Sequence, residues 1–595
     1  MLLDNIPLSL LSKAINQCRM ELGRRLPIHS VHKWWSRRFA AIYRLILGAY
    51  LTDNAHIVEE ALQNPSILRP LSQNKTFFEP FAGGGTGLVE AALAGYNVYG
   101  VEINPVAATV AKIALSILSG LPYDAKYAIE VLDKALLYIK DIWFFDGLQI
   151  SYLLLTRKKI PTWISTIRSL KYVVAICPYC KCMATYPKPS NDEMVVRCKI
   201  CGEEFTLSPK GTITPPSSLP KINDQIVFAA RLGEDRVWVS LIDNEELVSY
   251  LERRNELAYE LASEISKRMK EVDISGLREY NRLKRRGLTS LDKLFTPSQL
   301  LSFHVFASLA GKNSFMMTAA SDAAKTCSML AIWYPPIGEP LPAGALRANW
   351  IPDLGVEVNP LAHKIGTLKT LARGTIASAI KAQLRASDYV DSIGHIRVRG
   401  KVILGDASEV KFPSHIDLAV VDPPYFRRIL TYTSLAITHY AVMRLFTTEF
   451  ENICDVERKE LTVSNARYNY VLSKVFKKIS HSIDRTSRVI LMYNALNGKI
   501  WEFLFNACKE ACLYPIAAYL VLGESHGTLI RSKLKGMFLI VLSKMPKRDV
   551  VIKFTDSLNE MTSLVSICEE IEQRGLNCLM RAMRAVYPSI TVNTR

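Results

Sequence analysis

The sequence predicts an α/β fold, a mixed sheet flanked by helices and interrupted by a metal-binding insertion. Three observations carry that expectation. The first is a strand, Thr76-Phe77-Phe78, followed by the turn Glu79-Pro80-Phe81-Ala82-Gly83-Gly84-Gly85-Thr86-Gly87. A helix-forming run, Leu88 to Ala94, comes next, then a strand, Asn97 to Val101, ending in Glu102. The second is an apolar run, Ile416 to Val421, ending in Asp422-Pro423-Pro424-Tyr425. The third is a pair of C-x-x-C knuckles, Cys177/Cys180 and Cys198/Cys201, a spacing that reads as a zinc ribbon.

The first unit has the order of a nucleotide-binding half. Glycines admit a ligand where a Cβ would clash. An acid about 20 residues beyond the turn is placed to bind ribose hydroxyls. The same glycines also suit tight helix–strand packing, and that reading stays open.

At 595 residues the chain is expected to hold two to four domains. No run of 18 or more uncharged apolar residues occurs, so no membrane span is expected. Met1 to Ser12 is apolar but contains Asp4 and lacks a basic leader, and is not read as a signal peptide. The balance of 74 basic against 56 acidic residues points to a polyanionic partner, with a generally basic protein as the alternative. Twelve cysteines, four of them in a metal-ligand pattern, fit a reducing cytoplasm.

Along the chain, residues 13–50 read as helical. Within them Pro27 to Arg38 packs Lys33, Arg37, Arg38, two histidines and two tryptophans into twelve positions. This is either a basic helix start or a lid offering cations to an anion and an indole to a base. Residues 105–170 read as more of the same α/β layer. The ribbon, with Lys181, Lys188 and Arg197, is basic, and Cys182 falls outside the ligand spacing. Residues 203–226 read as a linker. Asp243 to Lys270 reads as an amphipathic helix with Leu247, Tyr250, Leu251, Ala258, Leu261 and Ile265 on one stripe. Arg282 to Arg286 is a basic run suited to solvent or to DNA. Thr296-Pro297 reads as a helix start. Gly355-Val356-Glu357-Val358-Asn359-Pro360 nearly repeats Gly100-Val101-Glu102-Ile103-Asn104-Pro105, but no glycine turn precedes it, and it reads as a structural turn near the active site. The expected division is 1–170 and 346–550 as two parts of one catalytic domain. The ribbon occupies 171–210, a linker and helical insertion suited to target recognition 211–345, and a helical basic tail 551–595.

Val402 to Ala407 reads as a strand leading into Asp406, and ligands of open α/β sheets bind at the carboxyl ends of strands. The prolines of Asp422-Pro423-Pro424-Tyr425 fix the backbone and aim carbonyls and a carboxylate at one point. Those acceptors suit an exocyclic NH2 group, and Tyr425 offers a ring to stack on a base. An amino nitrogen conjugated to a ring is a poor nucleophile, so methyl transfer to it depends on positioning and electrostatics.

Phe81, Gly83 and Gly85 stand at the defined positions of motif I of the amino-methyltransferases that use S-adenosylmethionine. With the His/Lys/Trp-rich start, the ribbon and Asp422 to Tyr425, the chain resembles the adenine-specific DNA methylases that carry a zinc ribbon. The resemblance implies a class I methyltransferase (Rossmann-like) mixed seven-stranded sheet, closed by an antiparallel pair, with the ribbon and a helical region inserted. It implies methyl transfer to adenine N6 in DNA by base flipping. Phe81, Gly83, Gly85, Thr86 and Lys33 would hold the methionine end of the cofactor, Glu102 the ribose and Asp406 the adenine amino group, with Glu79 also binding the cofactor. Asp422, Pro423, Pro424 and Tyr425 would be catalytic, with a structural Zn2+ on the four cysteines. A restriction or defence-system protein is a candidate partner, and the expected location is cytoplasmic. Phe426-Arg427-Arg428 and Ser298 depart from the family pattern. RNA guanine-N2 or DNA cytosine-N4 methylation, or zinc-dependent nucleic-acid binding without catalysis, are the alternatives.

Overall fold

The computed structural model describes the chain apart from residues 24, 36, 122, 158, 162, 166–171, 188–193, 208–211, 243, 335–338, 342–353, 426–430, 496, 524–535, 555–564 and 595. Lys188, the Phe426-Arg427-Arg428 segment and the loop between the last two expected strands lie outside the described residues. The chain forms two compact units. One comprises Met1–Tyr123, Arg385–Thr433 and Asp455–Arg595, the other Asp124–Leu384 and Ser434–Cys454.

The first unit is built on a mixed sheet of nine strands: β1 (Thr76–Glu79), β2 (Asn97–Glu102), β3 (Arg399–Leu404), β4 (Leu418–Val421), β5 (Arg488–Tyr493), β6 (Tyr514–Leu522), β7 (Gly536–Ser543), β8 (Asp549–Lys553) and β9 (Thr591–Thr594). Their order is β3-β2-β1-β4-β5-β7-β6-β8-β9. β7 runs against its neighbours β5 and β6, and the other pairings are parallel. The expected seven strands are therefore exceeded. The C-terminal tail, expected to be helical, contributes β9 after its helix Val565–Val586, because Val592 pairs with Val550 and buries its side chain.

Centrally placed strands are apolar throughout because both their faces are covered. All four residues of β4 and all eight of β7 are buried. Helix Thr86–Leu93 is buried along its whole length. Helix Pro105–Leu118 starts with proline in its first turn and is capped by Asn104, whose Oδ1 accepts from the Val106 and Ala107 amides.

The N-terminal region departs from the helical expectation. Between helices Leu8–Gly23 and Ala40–Leu51 none of the described residues is α-helical. Arg37 donates to the carbonyls of His29 (2.6 Å) and His32 (2.8 Å), and so satisfies acceptors that a helix would bond internally.

The second unit holds its own sheet, in the order 221–222, 225–232, 148–156, 354–358, 332–334, 339–341. Leu148–Thr156 thus belongs to this sheet rather than to the layer expected for 105–170. The expected linker contains strands, among them Glu204–Leu207 and Gln225–Leu232. Helix Glu245–Lys270 buries Leu247, Leu251, Arg254, Ala258, Ala262, Ile265 and Met269. The stripe passes through Ala262, so its neighbour Leu261, expected inside, is exposed. Thr296 and Gln299 form a capping box at the start of helix Pro297–Ala310.

Within this unit the second hexapeptide ends strand Leu354–Val358 and enters a turn, closed by the Ala362 amide donating to the Asn359 carbonyl at 3.2 Å. Glu357 lies 3.0 Å from Arg254 Nη1, with both side chains wholly buried. Thr296 Oγ1 donates to the same carboxylate. Arg254 also donates to the Ile142 carbonyl at 2.9 Å and lies over the Trp143 ring. Among the described residues no helix is long and apolar enough to cross a membrane.

Candidate active site and metal centre

The strands β3, β2, β1 and β4 are adjacent and parallel, so their carboxyl ends open on one side. Gly405-Asp406, Glu102, the Pro80–Gly84 turn with Thr86, and Asp422-Pro423-Pro424 come at or just after those ends. They line one cavity of about 910 Å³ including its open mouth. Sequence elements from opposite ends of the first unit therefore converge as strand-end chemistry requires.

Glu102 secures the turn. Its Oε2 accepts from the Gly83 amide at 2.7 Å and its Oε1 from the Asn104 amide at 2.8 Å. Burial outweighs those donors and pushes its pKa up to about 7. Gly83 and Gly85 adopt positive φ, 52° and 78°. A Cβ on Gly85 would stand 2.7 Å from Ala111 Cβ, and one on Gly84 would stand 3.0 Å from Trp34. The clearance at Gly85 thus serves packing on helix Pro105–Leu118, and that at Gly83 and Gly84 admits an indole. Trp34 stacks on Tyr432 with centroids 6.1 Å apart and planes 18° from parallel. Glu460 accepts from the Thr433 amide at 2.7 Å at the start of the short helix Tyr432–Leu435, and burial pushes its pKa up to about 7.

Three expected cofactor contacts, Gly85, Glu79 and Lys33, lie off the cavity lining, and Gly85 instead packs against Ala111. Glu79 is buried and accepts from the Tyr43 hydroxyl at 2.7 Å; burial holds its pKa well above the usual carboxylate range. Lys33 is exposed, and the cations lining the cavity are Arg37 and Arg38. Phe81 and Thr86 are in the lining. Asp406 is at the cavity but engaged: its Oδ1 accepts from Ser408 N (2.8 Å) and Oγ (2.7 Å), and Arg467 donates to Oδ2.

Asp422, expected to stand ready as an acceptor, is already engaged. Arg38 Nε and Nη2 donate to its Oδ2 and Oδ1, each at 2.7 Å, across 384 residues of sequence. Each carboxylate oxygen keeps a further lone pair for another donor. The Arg38 guanidinium carbon lies 5.2 Å from the Tyr425 ring centre. Tyr425 in turn lies 5.2 Å from the Tyr493 ring, and Tyr468 donates to the Pro424 carbonyl at 3.1 Å. Arg38, Trp34, Tyr432 and Glu460 are site residues to which sequence reasoning assigns no individual role. The density of cations and indoles at 27–38 is the one signal for the first two.

In the second unit, hairpins Tyr172–Ile176/Met183–Pro187 and Met194–Arg197/Glu204–Leu207 carry the two knuckles. The sulfurs of Cys177, Cys180, Cys198 and Cys201 lie within 4.8 Å of one another, a cluster that can hold a metal ion such as zinc. The amides of Ile200 and Cys201 point at Cys198 Sγ from 3.4 and 3.5 Å. Cys182 is not one of this set. Tyr186 and Phe205 pack edge to face in a small core beneath it. Comparison of the chain with protein-family models, with curated proteins and with solved structures finds no match.

Proposed function

We propose that the first unit is a class I amino-methyltransferase that transfers a methyl group from S-adenosylmethionine to adenine N6 in DNA. The observation that carries this reading is the convergence, on one cavity, of the glycine turn, Glu102, Asp406 and Asp422-Pro423-Pro424 at the ends of four adjacent parallel strands. The antiparallel pairing of β6 with β7 supports the class I reading.

The residues present fit the cofactor. Glu102 keeps lone pairs for ribose hydroxyls beyond its two backbone donors. Trp34 lies over the turn with Tyr432 stacked on it, and Arg37 offers charge to a carboxylate. S-adenosylmethionine, when bound, supplies an electrophilic methyl group. The chain's part is then to hold the amino group in line and to exclude water. Asp422 accepts one amino hydrogen and a backbone carbonyl of Asp422-Pro423-Pro424 the other, which favours a more tetrahedral nitrogen. Tyr425 replaces the stacking lost when the base leaves the duplex.

The ribbon fits Zn2+ as a closed four-thiolate structural site. The net charge of +18 supports DNA as partner. A cytoplasmic location and a restriction or defence-system partner remain part of the proposal. Calorimetry should show S-adenosylmethionine binding, and mass spectrometry of digested DNA should show N6-methyladenine. Asp422→Ala should lower methylation about 10²-fold, on the scale of one lost preorganised contact, while cofactor binding persists. Wild-type turnover by Asp422→Ala, or product found only in RNA or at cytosine N4, would overturn the assignment.

A further inference from the structure

Arg38 is buried, and its guanidinium meets Asp422 edge-on through two bonds of 2.7 Å while lying against the Tyr425 ring. The group is planar, has a π face and presents paired N–H donors in its plane. A base bearing an exocyclic amino group shares the planar face and offers amino hydrogens to the same carboxylate. Asp422 has lone pairs for both, but the space against the Tyr425 ring holds only one of them. Aromatic and guanidinium atoms stack at about 3.5–4 Å, so a base between Arg38 and Tyr425 needs a spacing of roughly 7 Å against the 5.2 Å present.

We propose that Arg38 fills the base position of the free enzyme and must leave Asp422 before a target base can enter. The proposal rests on reading Asp422 and Tyr425 as the base site, and it makes Arg38 a selectivity residue. The fork that fits a carboxylate also fits a phosphate. A nucleic acid brings both the base and phosphates that can take over the guanidinium, whereas a free nucleoside brings only the base. The site then admits bases carried on a phosphate backbone and rejects free nucleosides. Arg37, held by the His29 and His32 carbonyls, anchors the chain next to the moving side chain.

The experiment uses adenosine as probe, with the cofactor pocket saturated by S-adenosylhomocysteine. Calorimetry should detect no adenosine binding to the wild-type chain and clear binding to Arg38→Ala, at least tenfold tighter. Asp422→Ala in the Arg38→Ala background should remove that gain. If Arg38→Ala does not fold, as judged by circular dichroism, Arg38→Met keeps the packing of the stem and carries the same expectation. A folded variant that binds adenosine no better than wild type overturns the inference. Methylation of DNA by the wild-type chain is the separate readout of the proposed activity, so the two can fail independently.

Discussion

The hexapeptides Gly100-Val101-Glu102-Ile103-Asn104-Pro105 and Gly355-Val356-Glu357-Val358-Asn359-Pro360 differ at one position. Each closes a strand, in different sheets. In the first, the carboxylate takes two backbone amides at the lip of a cavity and keeps lone pairs facing it. In the second, it is wholly buried against Arg254. The asparagines diverge as well. Asn104 caps a helix of 14 residues, whereas Asn359 accepts from Leu361 N and donates to the Ile150 carbonyl. The residues beyond each proline decide that difference. Val106-Ala107-Ala108 continues as a helix, while the second copy turns at Pro360-Leu361 and enters an antiparallel bridge at His363. Nearly the same six residues thus make a cavity-lining acceptor or an internal ion pair, according to what the surrounding segments bring to the carboxylate.

The largest effect that can break this comparison is expected from Glu357→Ala. It leaves Arg254 charged, buried and unpaired, at a cost of about 3–5 kcal/mol. Hydrogen exchange at 148–156 and 354–358 should read it as lost protection. Glu102→Ala should spare the sheet and instead weaken S-adenosylmethionine binding by roughly 1.5–3 kcal/mol, measured by calorimetry. Swapped outcomes for the two variants would end the distinction.

pH sharpens it further. Burial raises the Glu102 pKa to about 7, above its unfolded value. Its contribution to stability is therefore full below the unfolded pKa and is lost as pH rises through about 7. Ribose hydroxyls bind the ionised form better, so cofactor affinity should run the other way. It should be about tenfold weaker at pH 6 than at pH 8, in step with the ionised fraction, and Glu102→Gln should flatten that profile.

The smallest effects belong to the leading glycines. A Cβ on Gly100 would stand 2.5 Å from Leu88 Cδ1 and 3.2 Å from Ala82 Cβ. Gly100→Ala should cost about 1 kcal/mol by overpacking. A Cβ on Gly355 would meet the end of the Gln225 side chain at 2.7 Å. Gly355→Ala should therefore cost less, because a terminal amide can swing aside. Thermal melts of the two variants check the order.

The parts of this site legible in the sequence are those written locally. The turn at 80–86, the acid closing the next strand, Asp422 at the end of an apolar run and the paired cysteines each sit within a few residues of the signal that marks them. The arginine on Asp422 is not legible, because nothing near position 422 names position 38. Trp34 reads as part of a lid, but its seat over Gly83 and Gly84 depends on tertiary packing. Leu148–Thr156 looks like any apolar strand, and periodicity cannot say which of two sheets it joins. The tail's last strand escapes sequence reading because four residues after a long helix carry too little pattern.

The sheet's discontinuity in sequence has a consequence during synthesis. β1 ends at Glu79, and its central neighbour β4 does not begin until Leu418. At about 5–20 residues per second, Phe77 and Phe78 wait tens of seconds with one strand edge unpaired. Much of the second unit is synthesised in that interval and can gather its own sheet first. The half-built first sheet is thus an exposed edge for most of synthesis, a window in which chaperone binding or mispairing between nascent chains would decide yield.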